Sequence, residues 1–232
     1  MTQIVTRGFV LARLDYGEAD RILTVLSADH GKLKAMAKGS RRSRSKLAGG
    51  IELFSLSELS FIKGRGEMYT LTSSRMQKHY PKIVADLERT TAGYELMKLL
   101  DRATEEALEP AYFELLEQAF EAINDPAIDL ELIKLWFAMQ LLRLSGHAPN
   151  LRTDAAGRPL SEQGSYAFSF DRMSFQPAGG ALGRFNPESI KFLRLGFGDH
   201  PPRVLRRIKN LPKLIKATQP LVQTILRTYV RV

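Results

Sequence analysis

The sequence predicts an α+β, multidomain protein: a small antiparallel β-barrel followed by an α-helical bundle. Three observations predict it. Segments of period two, rich in β-branched residues and separated by glycine-marked turns, fill the first 80 residues. The apolar period changes to a helical one at Pro81. A stretch rich in Gly, Pro, Ser and Arg, residues 149–185, then interrupts the helical pattern, which resumes at Asn186. The expected domains are therefore 1–80, a helical domain of 81–148 plus 186–232, and the irregular segment 149–185 inserted in it.

Five strands are expected in the first block. Residues 3–14 alternate in part around Phe9-Val10-Leu11-Ala12, and residues 21–28 are rich in β-branched side chains. After the turn signal Asp29-His30-Gly31, residues 32–38 alternate strictly, placing Lys32, Lys34 and Lys38 on one face. Residues 39–50 form a loop opened and closed by glycine. Residues 51–63 and 67–74 form a hairpin across Lys63-Gly64-Arg65-Gly66. Five strands in so short a stretch, without a helical period between them, point to an oligonucleotide/oligosaccharide-binding (OB) barrel.

In the middle block, Ile83, Leu87, Tyr94, Met97, Leu100 and Leu108 fall near helical spacing. Pro110 opens a second helix with Tyr112, Phe113, Leu116, Ala119, Phe120 and Ile123 on one side, and Asn124-Asp125-Pro126 stops it. Residues 129–145 are apolar almost all round, the pattern of a buried central helix, and Ser145-Gly146 ends them. In the last block Tyr166–Phe170 is a candidate strand, and Asn186-Pro187 is a helix start with Asn186 as N-cap. Pro201-Pro202 starts another helix, with Val204, Ile208, Leu211 and Ile215 on one stripe and Arg206, Lys209, Lys213 and Lys216 on another; Pro212 makes two abutting helices an alternative.

The chain has 232 residues, 44% hydrophobic and 25% charged, an ordinary globular composition. No apolar run approaches the length of a membrane span, and the first residues lack the layout of a signal peptide. The absence of cysteine excludes disulfides, thiol catalysis and thiolate metal sites. A cytoplasmic protein is expected. The net charge of +9 is distributed unevenly: +7 over residues 1–80, −7 over 81–147 and +9 over 148–232. Basic ends suggest contact with a polyanion and an acidic middle suggests another task; a solvated helical face also accounts for the acidic block.

The sharpest local signal is Lys38-Gly39-Ser40-Arg41-Arg42-Ser43-Arg44-Ser45-Lys46, five cations in nine residues with no acid. Guanidinium groups fork onto phosphate oxygens, and hydroxyl and amide donors add to them on what reads as a flexible backbone. A solvated loop is the bland alternative, disfavoured because like charges crowd each other without an anion. The DNA-binding candidates are Lys32, Lys34, Lys38, Arg41, Arg42, Arg44, Lys46, Arg65, Arg206, Lys209 and Lys213. Phe9, Phe54, Phe61 and Tyr69 are possible base platforms, with core packing the commoner fate of each. The histidines have no metal-ligand spacing, and no nucleophile, phosphate-loop or zinc-protease motif is present, so no enzyme, metal or cofactor is expected.

The ordered set Gly8-Phe9-Val10-Leu11, Tyr16 through Leu26, His30-Gly31-Lys32-Leu33, Ala37 through Arg42, Ser45 with Gly49, and Leu71-Thr72-Ser73 resembles the N-terminal domain of the bacterial RecO family, mediators of DNA repair and recombination. Leu141-Leu142-Arg143-Leu144-Ser145-Gly146-His147-Ala148-Pro149 resembles the segment entering that family's zinc region. Many members carry two Cys-x-x-Cys pairs there; the matching positions here are Thr153 and Ala156, then Gly183 and Asn186, so residues 149–185 replace the zinc region without thiolates. The resemblance implies an OB-fold domain and a helical domain without a catalytic centre. It also implies binding to single- and double-stranded DNA, strand annealing, and assistance in loading RecA on DNA coated by single-stranded DNA-binding protein, usually with RecR. The coating protein's acidic C-terminal tail ends in an apolar residue and needs a hydrophobic pocket with a cation at its mouth. Lys98, Arg102, Lys134 and Arg143 are the candidates for that cation, with ordinary surface pairing as the alternative. The competing overall reading is a helical protein-interaction adaptor with an incidental basic surface.

Overall fold

A computed structural model of the chain describes residues 2–64, 66–104, 110–161, 163–178 and 183–230. It divides into two units, Met1–Asp125 and Pro126–Val232. The division falls inside the helical block and not at residue 80, because the first three helices pack on the barrel.

The barrel strands are β1 (Thr2–Tyr16), β2 (Asp20–Ser27), β3 (Lys32–Ala37), β4 (Ser55–Lys63) and β5 (Tyr69–His79). They close in the order β1-β2-β3-β5-β4, with β3 parallel to β5 and the other pairs antiparallel, the five-stranded barrel expected from the sequence. The long β1 closes it: its first half pairs with β4 and its second half with β2. At Gly8 both partners are present, and a Cβ would lie 2.9 Å from Val25 and 3.0 Å from Leu59, so only glycine fits the crossover. A bulge between Val10 and Ala12 breaks the alternation. Val10, Leu23, Val25, Leu33, Ala35, Ala37, Ile51, Leu59, Phe61 and Leu71 fill the interior.

Phe9 and Phe54 leave the barrel and join the helices α1 (Pro81–Val84), α2 (Leu87–Ala103) and α3 (Pro110–Ile123). Phe9 lies 5.1 Å from Phe113 and 5.3 Å from Phe120, and Phe54 lies 5.6 Å from Phe120, with Tyr80 5.6 Å from the same ring. Phe9, Phe54 and Phe61 are thus buried and Tyr69 half-buried, and none of the first three is a base platform. The α2 stripe also differs from expectation. Leu87 is 82% exposed and Tyr94 largely exposed; the face toward the barrel is Ala92, Gly93, Leu96, Met97 and Leu100. Small residues at 92 and 93 let the helix approach Phe54. Leu108 lies outside the described residues. Gly93→Ala would put a methyl 2.5 Å from the Phe54 ring. This variant is expected to lose about 1–3 kcal/mol of stability in urea unfolding, with Thr91→Ala on the exposed face as a near-neutral control.

The second unit is built on α4 (Leu130–Leu144), capped by Asp129 and buried on most of its circumference. Around it pack α5 (Pro187–Phe197), α6 (Pro202–Leu205) and α7 (Leu211–Tyr229). Buried Gln140 donates to the carbonyls of Gly196 and Gly198, satisfying the end of α5, and Trp136 Nε1 donates to the His200 carbonyl at 2.8 Å. Asn186 caps α5 through the Ser189 N–H, as the sequence predicts. The single stripe expected from Val204 to Ile215 is not formed. Asn210 takes a left-handed conformation (φ 58°) and separates α6 from α7, with Pro212 in the first turn of α7, where its missing N–H costs nothing. Val204 is consequently exposed, and the buried stripe restarts at Leu214 and Ile215.

Between α4 and α5, the strands β6 (Asn150–Asp154), β7 (Tyr166–Ser169) and β8 (Ser174–Pro177) form a sheet of order β6-β8-β7, packed by Phe168, Phe175 and Phe185. The buried Asp154 carboxylate organises the turn that holds Ala156. It accepts from the Ala156 and Arg158 amides at 2.8 and 2.9 Å, and from the Arg158 guanidinium at 2.8 and 2.9 Å. Thr153, Ala156, Gly183 and Asn186 offer no thiolate or imidazole and do not fit a zinc ion; the Asp154 carboxylate holds the turn on which Ala156 lies. Among the described residues no group of three or more His, Asp or Glu side chains is arranged to hold a metal. The Arg158 amide, with the guanidinium and the Ala156 amide, keeps the Asp154 carboxyl below the ordinary carboxylate range. Its stabilisation is therefore present above that range and lost as pH falls through the lowered value. Asp154→Asn is expected to lower the melting temperature at pH 7, with the gap to the parent closing below about pH 4, measured by thermal circular dichroism; a chelator should leave both curves unchanged.

Candidate nucleic-acid interface

The barrel's cations sort themselves by what surrounds them. On the wall covered by helices, the Lys32 ammonium bonds the Asp101 carbonyl at 2.7 Å and its carboxylate at 3.0 Å, at the C-terminal end of α2. Lys78 reaches Glu121 on α3 at 2.6 Å. Lys32 is thus committed to the fold and is removed from the candidate DNA-binding cations. Arg13 pairs with Glu52, and Arg21 with Asp15.

The β3–β4 loop is pinned at both ends, contrary to the flexible segment its serines and glycine suggest. Gly39 (φ 65°) donates its amide to Asp20 at 2.7 Å, and the Arg41 amide donates to the Ala19 carbonyl. The Arg41 side chain lies 3.4 Å from the Asp15 carboxylate and bonds the Gly17 carbonyl, clamping this loop to the β1–β2 turn. Two further turns follow, Arg42 N–H to Gly39 O and Ser45 N–H to Arg42 O. At the far end the Ser74 hydroxyl donates to the Leu47 carbonyl, and Gly50 lies against Ser74. Arg41 therefore acts first as an anchor. Lys34, Lys38, Arg42, Arg44 and Lys46 are all exposed, and among the described residues none has an ion-pair partner. Arg65 lies outside the described residues.

Arg206, Lys209 and Lys213 are exposed on the turn after α6 and the start of α7, spread along the chain and not aligned on one helix. The first turn of α7 holds no acid. The four cations considered for a protein partner divide between the units. Lys98 and Arg102 share one face of α2, four residues apart. Lys134 and Arg143 lie on α4, nine residues apart and so on opposite faces of it. Lys134 pairs with Glu131 at 3.6 Å, and Arg143 Nε donates to Gln140 at 3.0 Å.

Comparison with known proteins agrees with this architecture. The family model for the recombination protein O N terminal matches residues 1–80, and that for the recombination protein O C terminal matches residues 84–231. The chain belongs to the recombination protein O family. A DNA repair protein RecO of Roseiflexus sp. is 31% identical over 97% of this chain and 79% of its own length. Those of Alkaliphilus metalliredigens and Dehalococcoides mccartyi are 32% and 34% identical, over 72% and 63% of this chain and 67% and 58% of their own lengths. The family is one of DNA repair and recombination. Its N-terminal match coincides with the barrel. Its C-terminal match begins in α1 and so includes α2 and α3, which pack on the barrel.

The residues that sequence reasoning missed are the anchors, Asp15, Asp20 and Ala19, which hold the loop that carries the cations. The replacement Arg42→Ala with Arg44→Ala is expected to leave the melting temperature unchanged. It should lower the salt slope of single-stranded DNA binding by about 1.4, two phosphate contacts at roughly 0.7 each, in fluorescence anisotropy titrations.

Proposed function

We propose that this chain is a non-catalytic mediator of DNA repair. It binds single- and double-stranded DNA, anneals complementary strands, and assists loading of RecA on DNA coated by single-stranded DNA-binding protein, with RecR as an accessory partner. The observation that carries the reading is the set of five exposed cations, without ion-pair partners among the described residues, on β3 and one pinned loop of an OB barrel. Neutralising phosphates on two strands lowers their mutual repulsion, so that complementary bases can meet; no covalent step is needed. The second unit offers a separate basic surface, 16 Lys/Arg against 7 Asp/Glu, with Arg206, Lys209 and Lys213 as contacts to a second strand or a duplex. For the acidic tail of the coating protein, Arg143 in the last turn of the apolar α4 and Arg102 with Lys98 on α2 are the proposed clamps.

The test is affinity for a single-stranded oligonucleotide against salt, together with annealing of complementary oligonucleotides. Five phosphate contacts give a slope of log K against log salt of about −3.5, and annealing should accelerate with the protein present. In the same experiment, Arg143→Glu or Arg102→Glu should weaken a labelled acidic tail peptide more than DNA. Affinity too weak to titrate at low salt, with tail binding intact, would leave the adaptor reading in place of this one.

A further inference from the structure

We infer that Ser43 is a phosphorylation site, and that a phosphate on it is captured by Arg42 and Arg44 and withdraws both from DNA. The inference rests on the proposed DNA-binding function and deepens it by naming how the same loop is regulated. The cationic run holds three serines, Ser40, Ser43 and Ser45, each beside an arginine. The fold separates them. Ser40 is buried, only 2% exposed. Ser45 is half-buried, and its hydroxyl accepts the Leu47 amide at 3.3 Å. Ser43 is exposed, and among the described residues its hydroxyl has no hydrogen-bond partner.

Backbone geometry puts Ser43 forward. The Ser45 amide donates to the Arg42 carbonyl at 3.0 Å, so Arg42–Ser45 is a turn with Ser43 and Arg44 as its central residues. The anchors of the loop lie outside this turn. Arg41 bonds Ala19, Gly17 and Asp15 on one side, and the Leu47 carbonyl accepts the Ser74 hydroxyl on the other. Opening the one turn presents the serine and its flanking arginines as an extended segment while the anchors hold.

The surroundings suit a dianion. No acid lies between Lys38 and Lys46, and Asp15 and Asp20, which bond this loop, are engaged by Arg41 and by the Gly39 amide. Phosphoserine carries a charge of about −1.5 to −2 near pH 7 and three acceptor oxygens. The guanidinium fork matches those oxygens. Arg42 and Arg44 are exposed, without ion-pair partners among the described residues. A phosphate on the same chain meets them at an effective concentration on the order of millimolar, ahead of a free strand. Arginines flanking the serine fit a kinase that reads substrate charge. In the transfer, Ser43 Oγ attacks the γ-phosphorus of a nucleoside triphosphate bound to that kinase. The bond from this phosphorus to the β–γ bridging oxygen breaks, the nucleoside diphosphate leaves, and the hydroxyl proton passes to the kinase's base.

The experiment uses the full chain. It is incubated with ATP and an arginine-directed serine kinase, and the site is mapped by mass spectrometry. Phosphate is expected on Ser43 and not on Ser40 or Ser45, and Ser43→Ala should take up none in this loop. In chains with phosphoserine encoded at position 43, phosphorus NMR should put the second ionisation of the phosphate below its ordinary value of about 6. Arg42→Ala with Arg44→Ala should return it to that value. The phosphorylated chain should bind a single-stranded oligonucleotide roughly tenfold or more weakly at low salt, with the salt slope reduced by about 1.4, the two contacts withdrawn. Lack of phosphate on Ser43, or its appearance on Ser40 or Ser45 instead, overturns the site. An ordinary phosphate ionisation, or unchanged affinity in a chain that binds DNA, overturns the capture while DNA binding stands. Failure of the unmodified parent to bind DNA overturns the DNA-binding function and the regulation together.

Discussion

The first unit depends on the aromatic cluster in which Phe9 and Phe54 leave the barrel and meet Tyr80, Phe113 and Phe120. These rings are buried, and tilted or edge-on pairs of this kind add about 0.5–1.5 kcal/mol each beyond the area they bury. The cluster decides which barrel wall is covered. Phe9 lies beside the bulge where β1 passes from one partner to the other, and Phe54 takes a positive φ of 56° to present its ring to Gly93 and Tyr94. With one wall occupied by helices, Leu14 and Tyr16 in the second half of β1 stay exposed.

Covering a wall also sorts its charge. Residues 1–125 hold 18 Lys/Arg and 18 Asp/Glu, so the unit carries no net charge, although its first 80 residues are strongly basic. The acidic helices neutralise the cations they overlie, Lys32 through Asp101 and Lys78 through Glu121. Among the described residues, five exposed cations without ion-pair partners, Lys34, Lys38, Arg42, Arg44 and Lys46, lie on β3 and its following loop, where Asp15 and Asp20 are spent on holding the backbone and Arg41. A pinned cationic loop loses less entropy on meeting phosphate than a free one.

Much of the fold is legible along the chain. The period-two segments, the change at Pro81, the caps at Asp129 and Asn186 and the all-apolar α4 are each produced by residues near one another in sequence. The candidate site was legible as composition, through the run from Lys38 to Lys46, but its members were not distinguishable. Lys32 and Lys34 share a strand face and a chemistry, and only Asp101, 69 residues beyond Lys32, separates their roles. Alternation assigned Phe9 and Phe54 to strands without saying what would cover their outward sides, and helical spacing placed Leu87 on a buried stripe for the same reason.

Local chemistry by itself determined the barrel, the helical block, the absence of thiolates and the position of the basic loop, because turn residues, periodicity and caps act within a few residues. Tertiary structure decided which strand faces and which cations remain available. Burial and ion pairing join residues far apart in the chain: α2 and α3 removed Lys32, Phe9 and Phe54 from the surface and left Tyr16, Leu14, Lys34, Arg42 and Arg44 on it.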